Sequence, residues 1–122
     1  TFAIYFLGKV ARWLQEDVGG LAAMKQLNIR KSSLLYDVVD SCDGFYRGHA
    51  QPGSRSLMNV TFNLPSDELQ AKFIADAAEH RLCHLKGHRS VGGIRASVYN
   101  AMPIEGAESL AQFMKDFAAQ NA

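Results

Sequence analysis

The chain has 122 residues, 48% of them hydrophobic and 20% charged, with a formal net charge of +1. That is the size and composition of one domain able to bury a core; it argues against a disordered chain and against a general nucleic-acid-binding surface, which needs a clustered basic excess. The apolar runs are too short to cross a bilayer as a helix, and two cysteines, Cys42 and Cys83, are too few for a disulfide framework, so both are expected to be reduced packing residues of a cytoplasmic protein.

Phe2, Tyr5, Phe6, Val10, Trp13 and Leu14 recur at helical spacing, which predicts a helix over Phe2–Glu16 with one apolar face, ended by Gly19-Gly20. Trp13 and Tyr5 are read as packing residues. A helical pattern that starts at Thr1, with no initiating Met, is expected equally of a processed chain and of a segment cut from a larger one. A second run (Met24, Leu27, Leu34, Leu35, Val38, Val39) predicts a longer helix from Leu21 to near Ser41, with Lys25, Arg30, Lys31 and Asp37 at wet positions. Asp43-Gly44 supplies the turn, and Asp40 and Asp43 are expected only to solvate the helix end.

Phe45 to Ser56 reads as a loop. Leu57 to Leu64 then alternates, with Met58, Val60, Phe62 and Leu64 against Asn59, Thr61 and Asn63, the period of a half-buried strand. Pro65-Ser66-Asp67-Glu68 looks like the start of a helix that Phe73, Ile74, Ala77, Ala78 and Leu82 continue. A short strand over Cys83 to Leu85 leads to a glycine-broken loop, Ile94 to Tyr99 alternates as another strand, and Asn100 to Ile104 turns into a closing helix over Glu105 to Ala119. The predicted fold is α+β: a two-layer sandwich of a small, mainly antiparallel sheet with helices on one face, preceded by two helices. Residues 1–41 form the opening helices and 45–122 the α+β part of one domain. The opening helices carry too much apolar surface for so small a sheet and are expected to pack on something beyond it.

The stretch that carries chemistry is Leu85-Lys86-Gly87-His88-Arg89-Ser90-Val91-Gly92-Gly93-Ile94-Arg95-Ala96-Ser97. Glycines let backbone amides approach a ligand, arginine presents a planar fork to a carboxylate or phosphate, and histidine adds a donor that can carry charge. On the strand after the glycines, Arg95, Ser97 and Tyr99 share one face. The pattern suits a ligand with two anionic groups, although an ordinary solvated hairpin has the same composition. No nucleotide motif accompanies it. His80, His84 and His88 are spaced by four, but the helix should stop near Leu82 and Gly87 interrupts the segment beyond it, so no metal site is expected.

The run Lys86-Gly87-His88-Arg89-Ser90-Val91-Gly92-Gly93-Ile94-Arg95-Ala96-Ser97-Val98-Tyr99-Asn100-Ala101 closely resembles the C-terminal signature of the phosphoserine aminotransferases. Thr1-Phe2-Ala3-Ile4-Tyr5, Gly19-Gly20 with Ala22-Ala23-Met24, and Arg55-Ser56 with Met58-Asn59-Val60 extend the resemblance over nearly the whole chain. It implies the C-terminal small domain of a homodimeric fold-type I enzyme that uses pyridoxal 5′-phosphate (PLP) to move an amino group between phosphoserine and 2-oxoglutarate, with glutamate as the other amino acid. It further implies that Arg95 holds the substrate α-carboxylate, and that His88 and Arg89 face the substrate phosphate across the dimer interface. The cofactor lysine of the family lies upstream and matches none of Lys9, Lys25, Lys31, Lys72, Lys86 and Lys115, so these residues alone are expected neither to bind the cofactor nor to catalyse. A stand-alone anion-binding or regulatory module, or a plain interaction domain, remains the alternative.

Overall fold

Alternation of side chains across two strands organises the centre of the fold. The computed structural model describes residues 1–122. In chain order it has α1 (Phe2–Glu16), α2 (Leu21–Ser41), β1 (Arg47–Gly48), a single 3₁₀ turn (Pro52–Ser54), β2 (Asn59–Asn63), α3 (Asp67–Glu79), β3 (Ile94–Ser97) and α4 (Ile104–Asn121). The strands form an antiparallel sheet in the order β1-β2-β3, with Val60 opposite Ala96 and Phe62 opposite Ile94. Val60, Phe62, Ile94, Ala96 and Val98 are all buried, whereas Asn59, Thr61, Asn63, Arg95 and Ser97 between them are only half-buried. Helices α2, α3 and α4 cover the apolar face through Leu35, Val38, Val39, Phe73, Ala77, Leu110, Met114 and Phe117. This is the expected α+β two-layer arrangement, with the polar face of the sheet left uncovered. No helix is long and apolar enough to cross a membrane.

Phe45 and Tyr46, expected to lie in a loop, are instead core residues. The Tyr46 ring meets Phe62 edge-on at 5.2 Å, Phe73 meets Phe117 in the same way at 5.1 Å, and the Tyr46 hydroxyl donates to the Met114 carbonyl at 2.7 Å. Burial pushes that phenol far above its ordinary pKa, so it stays a neutral donor at any working pH. The loop after Tyr46 contributes β1, a strand too short to have a detectable period. It is tied back to α2 by Arg55, which grips Asp40 with two hydrogen bonds of 2.6 and 2.7 Å and lies 4.6 Å over the Tyr36 ring. Asp40 therefore does more than solvate a helix end: its hydrogen bond to the guanidinium holds its carboxyl below the usual range.

Lys31, expected at a wet position, is fully buried. Its ammonium donates to the carbonyls of Tyr99 at 2.7 Å and Met102 at 2.9 Å, and one helical turn earlier Asn28 Nδ2 donates to Asn100 Oδ1 at 2.8 Å. Spacing along α2 could not reveal this, because the partners lie about 70 residues away in sequence.

The short strand expected over Cys83 to Leu85 does not form. His84 sits at φ 61°, in the left-handed region, and this breaks the extended run so that only Lys86 pairs, opposite Ile94. Cys83 is exposed rather than packed, while Cys42 is half-buried and its Sγ accepts from the Tyr46 amide at 3.1 Å. Helix α3 starts on Ser66, whose Oγ accepts from the Leu69 amide at 3.2 Å, and ends with the Arg81 and Leu82 amides donating to the Ala78 and Ala77 carbonyls. Arg81, at φ 63°, fills the left-handed position that glycine usually takes after a helix. Replacing it should relieve that strain, less the extra freedom glycine gives the unfolded chain. Arg81→Gly is expected to raise stability by about 0.5–1 kcal/mol in urea denaturation.

Helix α1 contributes no buried residue: Phe2, Ile4 and Leu7 are 77%, 77% and 68% exposed. Its apolar face, expected to pack on something, meets nothing within these residues apart from a slight contact with α2 near Trp13 and Leu14, which are half-buried. An uncovered patch of this kind drives association. The 122-residue chain is expected to sediment as self-associated species and to brighten a hydrophobic dye, and Phe2→Glu with Phe6→Glu should reverse both.

Candidate anion-binding site

Between Lys86 and Ile94 the chain makes a narrow hairpin. The Gly87 amide donates to the Gly93 carbonyl at 2.8 Å, and the Arg95 amide donates to the Leu85 carbonyl at 2.8 Å. Inside the loop the Gly92 and Val91 amides both return to the His88 carbonyl, at 2.7 and 3.1 Å. Two glycines make the closure possible. A Cβ on Gly87 would collide with the Gly92 carbonyl, and one on Gly93, at φ 71°, would collide with Asn63 Oδ1 and come within 2.9 Å of the Phe62 carbonyl. The hairpin therefore seats directly on β2.

His88, Arg89 and Ser90 form its tip, and all three are exposed. His88 Nδ1 lies 2.7 Å from Ser90 Oγ and accepts from the Ser90 amide at 3.2 Å, which orients the imidazole with Nε2 outward. Arg89 has no hydrogen-bond or ion-pair partner. Arg95 lies on rigid β3 behind the tip, on the polar face with Ser97, and Thr61 is its register partner on β2. Arg95 Nε is buried and unpartnered, and no carboxylate pairs with the guanidinium. Tyr99 continues the same face and donates from its hydroxyl to Asn59 Oδ1 at 3.2 Å. The structure thus puts the three expected residues on one continuous hairpin and strand, but in two places: Arg95 over the sheet and the His88-Arg89 pair at an exposed tip.

The Val98 amide donates to the Met58 carbonyl, just before β2, at 2.8 Å, whereas the Arg95 amide points to the opposite edge. Beyond that edge lies an open groove of about 520 Å³, bounded by Arg81–Leu85, β3 and the start of α4, with Arg81 and Arg95 as its positive groups and His84 beside them. The sequence pattern did not single out Arg81, and it weighed His84 only as a metal ligand; both take left-handed backbone that nothing in the local pattern marks. A larger opening of about 790 Å³ separates α3 from α4, but Asp76, Glu79 and Asp116 give it the wrong charge for an anion. His80 caps α3, His84 lies in the segment beyond and His88 at the tip, so the three share no helix.

The residues present do not build a pocket for PLP. Lys31 is committed to two carbonyls, Lys72 to Asp76 at 2.7 Å, and no lysine or stacking aromatic lines the groove beside Arg95. What they offer is fixed cationic donors on a hairpin whose closure tolerates no side chain at position 87. Gly87→Ala should cost about 1–3 kcal/mol, the usual penalty of overpacking. Gly92→Ala should cost about 1–2 kcal/mol, since it meets only the strain of its positive φ, with no neighbour within 4 Å. Denaturation of the two variants, with hydrogen exchange at the Gly87 amide, checks that only the first opens the hairpin.

The pattern of the class-V aminotransferases matches residues 1–110. The phosphoserine aminotransferase of Rhodopirellula baltica is 70% identical over 122 residues, which are 100% of this chain and 32% of that protein. Among solved structures, the phosphoserine aminotransferase of Bacillus circulans subsp. alkalophilus superposes with a TM-score of 0.94 at 47% identity, over 99% of this chain and 33% of that one. The PLP-bound phosphoserine aminotransferase of Trichomonas vaginalis gives 0.85 at 42% identity, over 94% and 33%. The chain thus spans about a third of the length of the relatives it matches, and it belongs to the class-V aminotransferases.

Proposed function

We propose that these residues are the C-terminal, substrate-binding small domain of a phosphoserine aminotransferase, which moves an amino group between O-phosphoserine and 2-oxoglutarate, yielding glutamate. The observation that carries the reading is the unpaired Arg95 guanidinium on an uncovered polar sheet face, behind a glycine-closed tip that presents His88 and Arg89. Its relatives bear that activity in their names. In this reading PLP is held, and the proton transfers are carried out, by parts of the full-length enzyme other than these residues. PLP supplies the electron sink when bound. Arg95 orients the substrate by a two-pronged grip on its α-carboxylate, and His88 and Arg89 take the phosphate in the neighbouring subunit of a homodimer. The exposed, outward-aimed tip and its lack of charged partners within the chain support that division, and the unbridged Cys42 and Cys83 go with a reducing cytoplasm.

The reading makes the two arginines separable. Phosphoserine and glutamate share an α-carboxylate, so in the full-length enzyme Arg95→Ala should cost about 2–5 kcal/mol in kcat/KM for both. Only phosphoserine has a phosphate, so Arg89→Ala should lower kcat/KM more for phosphoserine than for glutamate. Mixed dimers locate the contact. With Arg89→Ala and a dead cofactor lysine on the same subunit, the surviving site loses its phosphate donor. With the two defects on different subunits, the surviving site keeps it. Equal losses for both substrates in Arg89→Ala would sink the division of labour, and an undamaged Arg95→Ala enzyme would sink the site.

A further inference from the structure

We propose that Lys31 is a positioning residue for substrate carboxylate binding, acting through the turn that ends the Arg95 strand. The inference rests on the substrate-binding role of Arg95 stated above and adds a residue on a different element.

Tyr99 to Met102 is a tight turn, closed by the Met102 amide donating to the Tyr99 carbonyl at 3.0 Å. The Lys31 ammonium takes the carbonyls at both ends of it, Tyr99 at 2.7 Å and Met102 at 2.9 Å. Asn28, three residues earlier on the same face of α2, holds Asn100 in the middle of the turn at 2.8 Å. The Met102 side chain in turn fills the space against Gly106 at the start of α4, where a Cβ would come within 2.7 Å of its sulfur. The exit of β3 is therefore bolted to α2 at three points. Arg95 lies on β3, four residues before Tyr99, so only Val98 separates the end of its strand from the gripped turn and a shift of the turn moves the strand's exit.

A fully buried ammonium is an expensive way to hold a turn. No carboxylate pairs with Lys31, and burial lowers its pKa, so its charge is answered by carbonyl dipoles alone. If packing were the only need, an apolar side chain of the same length would serve as well or better. What an apolar chain cannot do is fix two carbonyl oxygens at one point. That is the requirement of a site in which a carboxylate must meet a guanidinium fork, where a misplacement on the order of 1 Å can cost a hundredfold.

The test is Lys31→Met in the full-length, PLP-loaded enzyme, read as kinetics for phosphoserine and glutamate separately. Hydrogen exchange at the Met102 amide and the melting temperature are measured alongside. The expected result is a rise in KM of about tenfold for both substrates, kcat within about threefold of wild type, and faster exchange at Met102. A core variant matched in melting temperature, such as Phe117→Leu, should keep wild-type KM. Unchanged KM in Lys31→Met, a rise for one substrate only, or an equal rise in Phe117→Leu overturns the proposal. If Lys31→Met does not fold, Asn100→Ala decides: a KM rise of about threefold for both substrates supports the role, and an unchanged KM overturns it. Arg95→Ala in the same assay separates the two levels. Damage there with a silent Lys31→Met removes only this inference, whereas a harmless Arg95→Ala removes the reading it rests on.

Discussion

One-sided burial of β3 is the constraint on which the candidate site depends. Ile94, Ala96 and Val98 all face the core, and a strand's period of two then sends Arg95, Ser97 and Tyr99 to the opposite face. A slip of one residue would bury the guanidinium and expose the apolar set, a cost large enough to lock the register. Because no helix covers the outer face, a cation placed there stays available to a ligand. The burial that stabilises the sheet and the chemistry it presents are set by the same alternation.

A strand held in register still needs its ends fixed, and the two ends are held differently. At the start, Gly87 and Gly93 bring two backbone segments so close that no Cβ fits between them, so the tip carrying His88 and Arg89 is rigid at its base. At the exit, side chains of α2 grip the turn over Tyr99 to Met102. Backbone approach and side-chain capture are independent devices, and together they leave little freedom between the tip and Arg95.

The helices divide their apolar surface unequally. The aromatic cluster around Tyr46, Phe62, Phe73 and Phe117 joins β2, α3 and α4 to the segment after α2. Helix α1 has a comparable apolar face that takes no part in it. The curated relatives are about three times as long as this chain, and an exposed apolar helix is the kind of surface that further chain or a second subunit covers.

The sequence by itself determined the helices, the two principal strands and the face on which Arg95 lies, because each rests on a local period and on glycine or serine at the boundaries. Helix α1 and helix α2 fall where the spacing of Phe2 to Leu14 and of Met24 to Val39 puts them. The hairpin with His88 and Arg89 was legible from its glycines, and its family resemblance covered the same residues. What only the tertiary structure decided depends on contacts far apart in the chain. Lys31 reads as a wet lysine until Tyr99 and Met102 are brought over it, and Asp40 as a solvated helix end until Arg55 folds back. Tyr46 looks like loop until Phe62, Phe73 and Met114 surround it, and the strand expected over Cys83 to Leu85 is undone by the left-handed backbone angle at His84. Periodicity reports which side of an element is apolar, but a buried charge or a left-handed histidine exists only because distant parts of the chain make room for it and supply its partners.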